Sequence, residues 1–63
     1  GGTPDALPDI GTKGVAITDL HPGGTVEVDG KYYEAQVVLE DLKTGTPVVV
    51  TGYKHFYLLV EKA

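Results

Sequence analysis

The dipeptide Asp29-Gly30 constrains this chain more than any other feature, because it stands between two stretches that alternate apolar and polar residues. Thr25-Val26-Glu27-Val28 precedes it, and Lys31-Tyr32-Tyr33-Glu34-Ala35-Gln36-Val37-Val38 follows. A two-residue loop of this composition between alternating segments is the strongest short-range signal for a β-hairpin. The type I′ turn it implies needs positive φ at both central residues, which Asp tolerates and Gly adopts without strain. The turn also sets the register. Val26 and Val28 then point inward together with Tyr33, Ala35 and Val37, while Tyr32, Glu34 and Gln36 point outward.

The remaining segments read the same way. From Lys13, the residues Val15, Ile17 and Thr18 favour a strand, and Val15 and Ile17 fall on one face of it. His21-Pro22-Gly23-Gly24 breaks that strand with a tight loop. The stretch 40–46 makes a second break, too short for more than one helical turn; it is expected as a turn or 3₁₀ segment with Leu42 plugging the core. Pro47 opens the next strand, where a missing N–H is tolerated. Val48-Val49-Val50-Thr51 and Phe56-Tyr57-Leu58-Leu59-Val60 are expected to form a second hairpin through Gly52 to His55. Val48, Val50, Phe56, Leu58 and Val60 make its inward set. No stretch has helical periodicity. Five short strands hide their edges best by closing on themselves, so the expected fold is all-β, a small five-stranded OB-type barrel with no substantial helix. An SH3-like barrel is the main rival, and strand order stays open at this level. Residues 1–10, rich in Gly, Pro and Asp, read as a flexible linker or a cloning remnant, with Leu7 or Ile10 docking on the barrel. Residues 11–63 make up the barrel domain.

Composition narrows the function. A chain of 63 residues has room for one domain with a modest core, and without cysteine no disulfide or thiolate metal site can staple it. Nine Asp and Glu stand against five Lys, with no Arg. Nucleic acid is therefore not expected as a partner, since phosphate binding depends on clustered Lys and Arg. The longest apolar run, Phe56 to Val60, has five residues, far short of the roughly 20 that span a bilayer. The start of the chain has neither the basic nor the apolar region of a signal peptide.

Catalytic chemistry finds little to work with. Ser and Cys are both missing, and the two imidazoles, His21 and His55, fall in expected turns. Asp19 and His21 are two residues apart, but two ligands do not complete a metal site. Gly11, Gly14, Gly23 and Gly24 lack the Gly-Lys-Ser/Thr ending and following helix of a phosphate loop. No catalytic residue, cofactor or metal is expected. The outward apolar residues are more informative. With their neighbours inside, Val49, Tyr57 and Leu59 face out and form a cross-strand patch, joined by Tyr32 or Val38. Such a patch marks a contact surface unless Leu7, Ile10 or a loop covers it. Tyr32, Tyr53 and Tyr57 also offer stacking rings, which leaves an oligonucleotide- or oligosaccharide-binding OB module as a weaker alternative.

The run Gly14-Val15-Ala16-Ile17-Thr18-Asp19-Leu20-His21-Pro22-Gly23-Gly24-Thr25-Val26-Glu27-Val28-Asp29-Gly30 resembles the soluble C-terminal domain of NfeD-type proteins. The resemblance rests on Gly14, Ala16, Thr18, Leu20, Pro22, Gly24, Val26, Val28 and Gly30, then Tyr33 and Ala35, Gly45, Val48 and Val50, and Leu58 and Val60. It runs without gaps from about Gly11 to Glu61. The chain departs from the pattern at Val37-Val38-Leu39-Glu40-Asp41, where small residues and glycines are usual, and at Lys54-His55, where Asp-Gly or Asn-Gly is usual. The resemblance implies an OB-type domain attached to transmembrane segments of a parent protein. It also implies a role with stomatin- or flotillin-like partners in membrane microdomains. Longer relatives carry a serine-protease-like domain ahead of the membrane segments, so a regulatory domain of a membrane-bound protease is the alternative. On either reading the domain itself sits in the aqueous phase, on a side the sequence does not give.

Overall fold

Alternation of small β-branched residues with polar ones fixes five strands in the computed structural model, which describes residues 6–63. They are β1 (Lys13–Ala16), β2 (Gly23–Val28), β3 (Lys31–Val37), β4 (Pro47–Lys54) and β5 (Tyr57–Lys62). The strands close into a barrel in the order β1-β2-β3-β5-β4, with β4 returning to β1. All neighbours are antiparallel except β3 and β5, which run parallel and pair Ala35–Val37 with Leu58–Val60. No helix forms among the described residues. The expected OB-type barrel is thus the fold, and the strand order that the sequence left open is settled.

The first hairpin forms as its turn chemistry dictates. Asp29 has φ +53° and Gly30 +79°, and the register pairs Val28 with Lys31 and Val26 with Tyr33. Val26, Val28, Ala35 and Val37 are buried, and Tyr33 packs against them partly covered. From the other strands come Ala16, Val48, Val50, Leu58 and Val60, and from the loops Leu20 and Leu42. No polar side chain is buried in the described residues. Leu42 does plug the core, and its backbone exchanges hydrogen bonds with that of Leu20: Leu20 N–H donates to Leu42 O at 2.8 Å and Leu42 N–H to Leu20 O at 3.1 Å.

The backbone approaches itself too closely at two places for any side chain. A Cβ on Gly14 would meet the Glu27 carbonyl oxygen, and one on Gly24 would meet the Asp19 carbonyl oxygen and the Thr18 hydroxyl. Small barrels need such crossings where strands pass near one another.

Three sequence expectations are corrected. Phe56 is not in the core; it is 97% exposed. The reason is the register of the hairpin: Val50 opposes Val60, and after one extra residue at Thr51 the pairs run from Gly52 with Leu59 to Lys54 with Tyr57, which leaves His55 and Phe56 as the turn. β4 thus runs on to Lys54, and the connection shrinks from the expected four residues to two. Phe56 therefore belongs to the turn and has no inward strand position. In β1 the buried residue is Ala16, paired with Val26; Val15 lies on the outer face, and Ile17 is past the strand end and exposed. Leu7 and Ile10 do not dock, being 47% and 62% exposed. The segment leading into β1 is held through its backbone instead. The Tyr53 hydroxyl donates to Pro8 O at 2.5 Å, Gly11 N–H donates to Val50 O at 2.8 Å, and Val50 N–H donates to Thr12 O at 2.9 Å. The Gly1-Gly2 start lies outside the described residues.

Candidate interaction surface

The two histidines come first, because imidazole is the commonest general base and the sequence has only these two. His21 Nδ1 and Asp41 Oδ2 are in hydrogen-bonding contact, with both side chains largely in solvent. An exposed pair of this kind adds little to stability. It ties the β1–β2 loop to the β3–β4 loop. Beside it, Asp19 Oδ1 accepts from Thr44 N–H at 2.8 Å and from the Thr44 hydroxyl at 2.9 Å. The Thr44 backbone N–H and then its hydroxyl hold the Asp19 carboxyl below its ordinary range, with Lys43 and His21 adding smaller pulls. These residues rim a groove of about 320 Å³ floored by Leu20 and Leu42. The Asp19 carboxylate is thus engaged in joining two loops. His55 stands in the β4–β5 turn, and no cluster of three or more metal-ligating side chains occurs among the described residues.

The outer face of the second hairpin holds most of the expected patch. Val49, Tyr57 and Leu59 are each half-buried, between the fully buried Val48, Val50, Leu58 and Val60. Leu59 lies opposite Gly52 on one side and Gln36 on the other. Because Gly52 has no side chain, Leu59 covers that position, and a Cβ there would touch Leu59 Cδ1 at 3.5 Å. Tyr57 opposes Lys54, and Val49 opposes Glu61 and Lys13. Tyr57 and Leu59 therefore form one row along β5, with Val49 set one step off beyond Glu61. Tyr32 stands apart, 70% exposed and opposite Glu27 on β2. The face where Tyr32 lies also carries Glu27 and Glu34, an acidic surface that repels phosphate.

Two apolar features escaped the sequence reading as exposed sites. Phe56 crowns the second turn. Leu39, 74% exposed, follows Val38 past the end of β3, beside a groove of about 300 Å³ between the ends of β3 and β5. The apolar run Val37-Val38-Leu39 was the available signal for the second. For Phe56 the signal was hidden, since the His-Phe pair lacks the glycine or asparagine by which such turns announce themselves.

The architecture has known counterparts. The model of the NfeD-like C-terminal, partner-binding domain matches residues 7–62. Among solved structures, the C-terminal domain of stomatin operon partner protein 1510-C from Pyrococcus horikoshii is similar, with a TM-score of 0.83 and 25% sequence identity over 86% of this chain and 86% of that one. No curated protein matches the chain. With nearly its whole length matched by that family and its barrel shared with a solved member of the same kind, the chain belongs to the NfeD-like C-terminal, partner-binding domain family.

Proposed function

We propose that this domain is a non-catalytic protein-interaction module of an NfeD-like membrane protein. It works with a stomatin- or flotillin-like partner in organising membrane microdomains. The match of residues 7–62 to a partner-binding domain carries this reading. The likeness to a domain named for its stomatin operon supplies the class of partner. Segments of the parent outside this chain hold it at the membrane, while the barrel lies in the aqueous phase; no helix among the described residues is long and apolar enough to cross. The partner docks on the row formed by Tyr57 and Leu59, extended by Val49, with Tyr32 as a separate outlying contact. Half-buried apolar side chains on a rigid sheet suit this role, because little freedom is lost when a partner covers them.

The test is Leu59→Asp. Leu59 is half-buried on the outer face over Gly52, so the substitution is expected to lower the thermal midpoint by several degrees and leave the barrel folded. Capture of a purified stomatin-like partner is expected to fall at least about tenfold, the loss typical of a central interface residue. Wild-type capture by a folded Leu59→Asp variant removes these residues from the docking surface.

A further inference from the structure

The chain contains two hairpins with two-residue turns, built from opposite chemistry. The β2–β3 turn uses Asp29-Gly30, which adopts its positive φ angles cheaply. The β4–β5 turn places His55 at φ +53° and follows it with Phe56, which is 97% exposed. Glycine or asparagine at the first position and a polar residue at the second would suit that turn better. Backbone strain and a fully solvated aromatic ring thus coincide in one two-residue segment. A sequence that breaks local rules at one point and keeps them elsewhere marks that point as functional.

The topology says what the tip faces. From the pairing directions, β1, β3 and β5 begin, and β2 and β4 end, at the same end of the barrel. Both turns project there. The incoming chain arrives there as well, because from Thr12 back to Pro8 it follows β4 from Val50 to Tyr53, toward the tip. Residues 8–12 thus lie toward the end of the barrel that carries Phe56. Charge is polarised along the same axis. Exposed Lys13, Lys31 and Lys54 stand at the tip end with Asp9 and Asp29, and Glu27 one position behind the first turn. The far end carries Asp19, Glu40, Asp41 and Glu61 against Lys43 and Lys62. Both grooves described above lie at the far end, away from the Phe56 ring, which projects into solvent. A convex aromatic flanked by lysines fits a fluid anionic surface better than a shaped protein pocket.

We infer that the His55-Phe56 tip dips into the headgroup region of an anionic lipid bilayer and sets how the barrel stands on the membrane. This rests on the reading that the parent is membrane-associated. One ring and two lysines bind weakly on their own, so the contact operates through the high local concentration that a tether provides.

The test reproduces the tether. The chain, carrying a polyhistidine tag at its N-terminus, is held by nickel-chelating lipid on vesicles of phosphatidylcholine, with or without about one-third phosphatidylglycerol. Phe56→Trp introduces the only indole in the sequence. On anionic vesicles its emission is expected to shift to the blue, and brominated acyl chains to quench it at least about twofold. Lys31→Glu with Lys54→Glu is expected to abolish both effects. In parallel, His55→Gly with Phe56→Ser is expected to raise the thermal midpoint of the free chain, since it repairs the turn. Emission that stays at its water-exposed position on anionic vesicles overturns the inference. So does a shift that requires a stomatin-like protein and no lipid, or a midpoint that falls in the repaired turn. Because the tag imposes membrane proximity, a negative result counts against the tip and leaves the parent's membrane association and partner docking to the Leu59→Asp experiment.

Discussion

Asp19 shows how far a single residue's meaning depends on its neighbours in space. In sequence it was a candidate ligand beside His21. In the fold its carboxylate accepts both the backbone N–H and the hydroxyl of Thr44, twenty-five positions away. Those bonds favour the charged form and hold its folded-state pKa below the ordinary value near 3.8. A depressed acid contributes stability that is fully present above its unfolded-state value and is lost as pH falls through the lower folded-state value. Wild type is therefore expected to exceed Asp19→Ala in stability at neutral pH. The gap should narrow only below about pH 3.8. Urea titrations of both proteins at a series of pH values check this; a gap that closes between pH 7 and pH 5 implicates another group. Gly14 and Gly24 teach the same lesson. A sequence shows only that they are small, and the close carbonyls that forbid a side chain come from residues brought near by the barrel.

At the scale of elements, legibility followed turn chemistry. Asp29-Gly30 declared its hairpin, its register and its inward set, and all three are present in the barrel. His55-Phe56 declared nothing, and the pairing of Val50 with Val60, which carries β4 on to Lys54, lay beyond the reach of period-two counting. Leu42 was readable as a plug because a lone leucine among Glu, Asp, Lys and Gly has little other use. It seals the barrel where the β3–β4 loop crosses the β1–β2 loop, paired with Leu20 through two backbone hydrogen bonds. Leu42→Ala is expected to cost about 2–4 kcal/mol in urea unfolding. That is a large fraction of the roughly 3–9 kcal/mol available to a domain of this length. A cost within experimental error would mean that the loop collapses to fill the space.

At the scale of the molecule, closure decides the architecture. The pairing of β1 with β4 joins residues some thirty-five positions apart, and it is continued by Gly11 and Thr12 against Val50. The incoming segment is thus part of the closing seam. Deleting residues 1–12 removes both backbone bonds to buried Val50, at about 1 kcal/mol each. The thermal midpoint is expected to fall by roughly 10 °C, given about 4–8 °C per kcal/mol for a domain this small. A deletion variant that melts like wild type would show that the barrel closes without this segment. The partner-binding role also belongs to this scale. It is carried by the match of nearly the whole chain and the shared barrel, while the docking residues proposed above are left to the Leu59→Asp experiment.

The sequence alone determined what depends on local chemistry. It specified the Asp29-Gly30 hairpin, the alternation that buries Val26, Val28, Ala35, Val48, Val50, Leu58 and Val60, and the ordered motif of a known domain family. Turn geometry and side-chain alternation act over a few residues, so they can be read in order along the chain. The tertiary structure alone decided the strand order with its parallel β3–β5 pair, the use made of Asp19 and the backbone docking of Pro8–Thr12. It also decided the outward position of Phe56, because the pairing of Val50 with Val60 sets where the second hairpin turns. Each of these depends on which distant segments meet when the barrel closes, and no local pattern encodes that.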